Sequence, residues 1–508
     1  MSAARTGPEG VRVSSLPMSS WRRAVVESVA GGQRFAGMYS TDRGGTAGLV
    51  AMLATANGIR CLETLVEPDA DGMLHYPSLA TDIDAAFWYE RALHDLSGIV
   101  PDGHPRLDAL LLPESEDGHR PLPGVALPEQ QSLTWAERRG PADVSGHGIF
   151  TLPFGPVRSG VMETIEFLIE TPGEDIPHLT IRPHYKHRGI AKQFEGRTVA
   201  DGVLVAERVE GISAVAHALA YSHAAEQIVG VTPPPRARLI RVIFAEFERV
   251  ANHLDVTMRL ADAAGLAVAT ARFGWHKETV MRLVSRLCGN RFGRGVVVLG
   301  GVGGTRPIDL ATVSDDVRRL HERIRSDIAA LEQSASFLDR LRGTGPLLAG
   351  RAREHGALGP IGRASSFDSD IRRERRTDAY AELPPILGAP DRVHTGDALG
   401  RARIRWHELD TSVLLLTHAL ELLPQAPRAQ SVELGTISDG FGVGRAESAQ
   451  GEVLYVLEVG SSRIRRCFAR SASFHNLLLF HDVFAGDVFT DLPFIEASFG
   501  LSYAGVAM

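Results

Sequence analysis

The sequence predicts an α+β protein: a small α+β domain over residues 25–121, then a mainly α-helical domain over 148–508 with peripheral β-strands. Three features predict this class. Over residues 25–112, short apolar runs such as 46–53 alternate with turn-rich pieces such as Pro68-Asp69-Ala70-Asp71-Gly72, the texture of short strands joined by tight turns. Between 122 and 147 periodicity weakens and chain breakers accumulate around PLPGVALPEQQ, which marks a linker. Beyond it, apolar residues recur at helical spacing over long stretches. Residues 1–24 read as a flexible N-terminus.

The elements follow in order. Residues 161–170 alternate as a strand, and 189–205 lead into a helical region. The clearest helix starts at Pro233-Pro234-Pro235, residues that suit the positions before or inside a first helical turn. Leu239, Ile243, Phe247, Val250, Leu254 and Met258 then form one apolar stripe. Glu246, Arg249 and His253 fall beside it. They read either as a solvated edge or satisfied polar cluster, since charged side chains are mostly exposed, or as a buried charged row near a site. Further helices are expected over 313–341 and 399–423. Between them, RAREHGALGPIGRASSFDSDIRRERRTDAY reads as an exposed loop whose Arg372, Arg373, Arg375 and Arg376 are solvated.

Composition narrows the function. At 508 residues, length alone suggests about three domains. With 44% hydrophobic and 23% charged residues the chain can bury a sizeable core, which excludes wholesale disorder. A net charge of -7 argues against nucleic-acid binding through bulk positive potential. Cys61, Cys288 and Cys467 are too dispersed for a disulfide framework or a metal knuckle, which fits a reducing compartment. No apolar run reaches the ~18 residues of a spanning helix. The N-terminus lacks the apolar stretch of a secretory signal, and none follows Arg22-Arg23 as twin-arginine export would need. Gly300-Gly301-Val302-Gly303-Gly304 and Gly440-Phe441-Gly442-Val443-Gly444 match neither a phosphate loop nor a dinucleotide fingerprint and read as turns. His217 with His223, and His475 with His481, are six apart, off a common helical face, and read as ordinary surface or core histidines.

Two groups of motifs carry a resemblance. WYERALHDLSGI at 88–99, followed by GHPRL and LLPE, is similar to the signature of the small peripheral-arm subunit of complex I, with Ala92 and Ser97 departing from it. From residue 152 onward, LPFGPVRSG, HYKHRGIAK, ERVEGISAVAHALAYSHAAE, RVIFAEFERVANHL, GPIGRASSFDSDIR and RCFARSASFHNL occur in that order. They resemble the large subunit of group 4 membrane-bound nickel-iron hydrogenases, above all the formate hydrogenlyase type, and its complex I relative beside the quinone pocket. The formate hydrogenlyase branch also fuses the two units.

The resemblance implies a nickel-iron centre on four cysteines, in an early R-x-C-G-x-C and a late D-P-C-x-x-C motif. Here Glu210 and Ser213 stand at the early cysteine positions. The late motif, aligned through Asp491-Leu492-Pro493, reads Ser502-Tyr503-Ala504-Gly505. A carboxylate is a hard ligand, a serine hydroxyl stays protonated and glycine offers nothing, so this set cannot replace soft thiolates. The nickel-iron centre is expected to be absent, with no metal and no cofactor bound by this chain; a quinone is the one candidate ligand. With the sequence ending at Met508, so soon after Gly505, the resemblance leads to the expectation that the removable tail of metal-bearing relatives is missing. Complex I relatives likewise carry an acid and a serine at the early pair.

By the same resemblance, Glu210, Arg158 and His187 are the candidate cavity residues for catalysis, with Arg208, Ser213 and Ser502 at vestigial metal-site positions. Glu210 either passes protons to a quinone-like acceptor or forms a salt bridge with Arg158 or Arg208. His187, with Arg188 and Tyr185, belongs to the HRG element and has an anchoring role as its alternative. Arg158 stands where formate hydrogenlyase-type relatives carry His, and no quinone tyrosine aligns. The expected partners are an iron-sulfur small subunit and membrane-embedded antiporter-like subunits, with the chain peripheral on the cytoplasmic face of the membrane. The alternative function is a non-catalytic scaffold whose former cavity is plugged by Glu210 and Arg158.

Overall fold

The alternating apolar runs of the first hundred residues pair into a five-stranded sheet. Its order is Arg5–Thr6, Val11–Ser15, Gly58–Val66, Ala47–Thr55 and Arg34–Asp42. Two tight hairpins make the last three strands antiparallel, whereas Val11–Ser15 lies parallel to Gly58–Val66. That parallel pair needs a crossover, part of which is the Met18–Ala30 helix. The structure is a computed structural model that describes residues 5–6, 11–113, 120–124, 144–158, 163–307, 309–390, 393–435, 437–484 and 486–508.

Residues 11–24, expected to be part of a flexible N-terminus, instead form the Val11–Ser15 strand and the first turns of a helix. The cause is Trp21, fully buried, whose indole N–H donates to the Leu62 carbonyl at 2.9 Å. Burial of such a ring is worth about 2 kcal/mol or more, enough to fix the segment it belongs to. Of the expected linker, residues 125–143 lie outside the described residues.

The second half is α+β as expected, built on long helices. Pro235–Ala263 begins at the third of the three prolines, packs against Ala267–Cys288 and Ala398–Leu422, and buries the predicted stripe from Leu239 to Leu254. Leu310–Glu332 and Ala335–Leu341 divide what was expected as one helix, with Gln333 and Ser334 between them. Two three-stranded sheets complete this half: Phe150–Phe154, Glu166–Thr171 and His178–Arg182 form one, and Gly440–Ser448, Gly451–Gly460 and Arg463–Arg470 the other. Among the described residues no helix is long and apolar enough to cross a membrane.

Two expectations are corrected here. The Gly440–Gly444 stretch is a strand, not a turn. Its glycines let it lie directly on the Ala214–Val229 helix, since a Cβ at Gly442 would sit 2.1 Å from the Ala224 carbonyl oxygen and one at Gly444 1.8 Å from that of Ala220. Residues 351–380 are not an exposed basic loop either; they contain the short helices Gly359–Ala364 and Ile371–Glu374, and Arg372 is buried between Asp370 at 2.7 Å and Glu246 at 3.2 Å.

Glu246, Arg249 and His253 belong to the same buried network, so the charged row lies inside. Arg363 meets Glu408 at 2.7 Å and Glu447 at 3.0 Å, His253 meets Glu408 at 3.0 Å, and Tyr380 and Ser412 each donate to Glu246 at 2.6 Å. Glu246, Asp370, Glu408 and Glu447 thus face Arg249, Arg363 and Arg372. The surplus negative charge is relieved at Glu447, whose carboxyl burial and the neighbouring Asp370 push up to about 7.

Candidate functional site

Glu210 sits in the turn between the Val199–Ala206 and Ala214–Val229 helices. The HRG element builds this turn into the fold: Arg188 donates to the carbonyls of Arg208 and Ala504, both at 2.8 Å, and the His187 ring meets the Ala507 carbonyl at 2.7 Å. These bonds tie the early motif to the Tyr503–Ala507 helix that carries the late one. The four positions where relatives carry cysteine therefore converge. Ser473 Oγ contacts Glu210 Oε2 at 3.3 Å and accepts from Ser502 N at 3.1 Å. Ser213 Oγ donates to Gln450 Oε1 at 2.7 Å, and Gln450 reaches the Gly500 carbonyl.

Glu210 lies directly over Gly505, where an added Cβ would be 2.0 Å from Oε2. Its other oxygen, Oε1, faces Nε2 of His217 at 3.2 Å, and both side chains are fully buried. The two atoms lack the alignment of a hydrogen bond and have no other hydrogen-bond partner among the described residues. His217 Nδ1 is held by the Tyr455 hydroxyl at 2.8 Å. Buried polar atoms are normally paired, and here two face each other unpaired. On the other side of the same helix start, Glu248 accepts from the backbone N–H of Val215 at 2.7 Å and of Ala216 at 3.0 Å. Burial, with the Glu210 charge adding to it, pushes the Glu248 carboxyl up to about 8.

The remaining sequence-predicted residues lie around this centre. Arg158 does not pair with Glu210. It forms a two-pronged ion pair with Glu496 at 2.6 and 2.9 Å and stacks 4.9 Å from the rings of Phe154 and Phe167. Arg208 is exposed and also fails to reach Glu210; its guanidinium bonds the Leu204 carbonyl at 2.6 Å. Ser502 Oγ donates to the Glu163 carboxylate at 3.0 Å and caps the last helix by accepting from Gly505 N. Sequence reasoning misses His217, because its spacing to His223 fits no shared helical face. The structure gives the two different partners, His223 closing onto Asp378 at 2.9 Å. The signal available is its place in the first turn of the helix that opens at Ser213, beside Glu210.

Comparison with known proteins follows the same division of the chain. Residues 24–124 match the family of the respiratory-chain NADH dehydrogenase 30 Kd subunit, and residues 265–439 that of the respiratory-chain NADH dehydrogenase 49 Kd subunit. Formate hydrogenlyase subunit 5 of Escherichia coli (strain K12) is 27% identical over 471 residues, covering 89% of this chain and 80% of its own. The chain joins a complex I 30 kDa-type domain to a complex I 49 kDa-type domain and is similar over most of its length to a membrane-bound hydrogenase subunit. Among its other relatives are the carbon monoxide-induced hydrogenase of Rhodospirillum rubrum, 29% identical over 69% of this chain and 96% of that one, and an NADH-quinone oxidoreductase subunit of Syntrophobacter fumaroxidans, 29% identical over 70% and 95%. A solved structure of the membrane-bound sulfane sulfur reductase, an archaeal respiratory membrane complex, shares the fold with a TM-score of 0.66 at 24% identity, over 72% of this chain and 100% of that one.

In this chain, the residues aligned with the cysteine motifs of the hydrogenases it resembles do not fit a nickel-iron centre. The positions present two hydroxyls, one carboxylate and a glycine, and the Glu210 carboxylate fills the space in which a thiolate at 505 would stand. The sulfurs lie elsewhere: burial pushes the Cys61 thiol up to about 12 and the Cys467 thiol up too, which keeps both inert. The arrangement sets a buried carboxylate and an imidazole face to face, with a second carboxyl, Glu248, pushed up to about 8 by burial.

Proposed function

We propose that this chain is a subunit of a membrane-associated oxidoreductase of the complex I or group 4 hydrogenase kind, in which the former metal site works as an acid–base pocket without nickel or iron. The buried Glu210–His217 couple, without an aligned hydrogen bond, supports this reading most directly. In this reading a quinone-like acceptor takes two electrons from an iron-sulfur partner subunit and one proton each from Glu210 and His217, becoming a quinol. Glu248, half-buried and holding its proton up to about pH 8, reloads them by passing on two protons in succession, each regained from solvent. Membrane attachment in this reading is through antiporter-like partner subunits on the inner face of the membrane. The relatives named for formate hydrogenlyase and NADH-quinone oxidoreductase support that placement.

The scaffold reading has one observation in its favour: Glu210 fills the space above Gly505, and Glu496 locks Arg158. Quinone reduction by the native assembly separates the two. Glu210→Gln should lower turnover by about a hundredfold, the usual scale for loss of a positioned proton donor, while the assembly stays intact. No turnover with any quinone, or turnover unchanged in Glu210→Gln, leaves the scaffold.

A further inference from the structure

A proton that reaches Glu210 or His217 has to cross the protein interior, because both side chains are fully buried. Glu248 is only half-buried. On its inner side its carboxylate bonds the backbone at the start of the helix that carries His217, close enough for the Glu210 charge to act on it. It also lines a cavity. This lies between the Pro235–Ala263 and Ala267–Cys288 helices and is bordered by Gly211 and Ile212, the two residues that follow Glu210.

Size and wall decide what this cavity admits. At about 90 Å³ it is well below the size of sites for organic ligands, yet several times what one water molecule needs. Water also needs polar partners in the wall. Glu248, Asn252 and Asp255 stand at i, i+4 and i+7 of one helix and so form a polar row along one face of it. Lys277, from the facing helix, ion-pairs with Asp255 at 2.6 Å, and Arg259 meets the same carboxylate at 2.7 Å. Asn252 is buried, and its Oδ1 has no hydrogen-bond partner among the described residues. It is thus an acceptor one helical turn from a carboxyl that burial keeps protonated up to about pH 8. The rest of the wall is largely apolar, with Val215, Phe244, Phe247, Val280 and Met281, and the exposed Gly211, Arg291 and Phe292 bring it to the surface. A polar row in an apolar passage suits a short chain of water, along which a proton moves from oxygen to oxygen.

We propose that this cavity is the proton inlet of the acid–base pocket, admitting water between the two helices along Asp255 and Asn252 to Glu248; the inference rests on the acid–base reading of Glu210 and His217. Each inward transfer leaves a Glu248 carboxylate, and the next proton from solvent neutralises it. Hydrogen–deuterium exchange at the Glu248 carboxyl, followed by time-resolved infrared spectroscopy of the full chain mixed with heavy water, tests the inlet. The carboxyl band is assigned by its loss in Glu248→Gln. In the natural chain it should exchange at least about a hundredfold faster than the backbone amides of the same buried helix. Ala251→Leu fills the cavity from a half-buried position on that helix, and Gly211→Leu from the Glu210 turn, where a Cβ meets nothing within 4 Å. Each should slow carboxyl exchange at least about tenfold at an unchanged melting temperature, and slow decylubiquinone reduction by the native assembly by a similar factor. Exchange no faster than that of the amides overturns the proposal. So does exchange undiminished in either well-folded variant, or the absence at neutral pH of any carboxyl band that Glu248→Gln removes. Slowed exchange in an assembly that reduces no quinone keeps the solvent path to Glu248 and removes the quinone chemistry, so the two readings fail separately.

Discussion

At the scale of single residues, the old metal site is held by mutual exclusion: Glu210 can lie where it does because position 505 has no side chain. Gly505→Ala therefore forces atoms to move in a close-packed interior and should destabilise the chain by about 2 kcal/mol. Combining it with Glu210→Ala should recover most of that loss, because the clashing carboxylate is gone. Denaturant unfolding of the two single variants and the double variant measures the coupling; strictly additive effects would show that the two positions do not compete for space. Glu248 makes a separate prediction. Its carboxyl titrates near 8 in the fold against about 4.5 unfolded, so between those values the unfolded chain releases a proton that the fold retains, and stability falls as pH rises. Glu248→Gln removes that penalty while sacrificing part of the bonding to Val215 and Ala216. It should raise stability by about 2 kcal/mol at pH 7 and give no gain below pH 4.5. A melting temperature unchanged at pH 7 would mean that the carboxyl ionises freely in the fold.

At the scale of elements, close approach decides more than propensity. The Gly440–Ser448 strand rests on the Ala214–Val229 helix through Gly442 and Gly444. Gly444→Ala, with its new carbon 1.8 Å from the Ala220 carbonyl oxygen, should cost about 3 kcal/mol and lower the urea midpoint. Gly435→Ala, whose Cβ would meet nothing, should leave the midpoint unchanged. A midpoint as little affected by Gly444→Ala as by Gly435→Ala would mean that the contact is loose. This strand also shows where the sequence is legible. The helix after Pro235 can be read because a 3.6-residue apolar stripe is a local pattern, and the convergence of Glu210, Ser213 and Ser502 because their motifs are in family order. Gly440–Gly444 cannot, since glycines needed for a helix on the strand look the same as glycines needed for a turn. Arg372 escapes for a similar reason: its partner Glu246 lies 126 residues away, and a run of arginines carries no record of the carboxylates it will meet. Trp21 is not legible as an anchor because a lone aromatic shows no period.

At the scale of the molecule, the buried titratable groups pull against one another, and the balance sets an acid limit. His253 and His355 are buried and held down at about 4, chiefly by the cost of burying their charge, and His475 is held below the usual range for the same reason. The unfolded chain protonates these rings near pH 6.5, so the stability they preserve above that value is lost as pH falls toward 4, on the order of 3 kcal/mol for each group held near 4. Glu248, Glu447 and Asp487, raised to about 8, 7 and 6, act in the opposite sense and add stability as pH falls over much of the same interval. The two sets offset one another from pH 7 to about pH 4.5. Below that, the raised acids have nothing further to give. Glu408, Glu452, Asp370 and Glu246, held below the usual carboxylate range despite burial by Arg363, Arg34, Arg445 and Arg372 among others, then begin to lose their ion pairs as pH drops toward their folded values. Urea unfolding should accordingly show a shallow plateau from pH 7 to pH 4.5 and a steep fall below it. His355→Asn, which removes one opposing ring, should tilt the plateau so that the variant is more stable at pH 5 relative to pH 7 than the natural chain is. A steep loss already between pH 7 and pH 5.5, or a plateau whose slope His355→Asn leaves unchanged, would show that the buried histidines are not neutral in the fold.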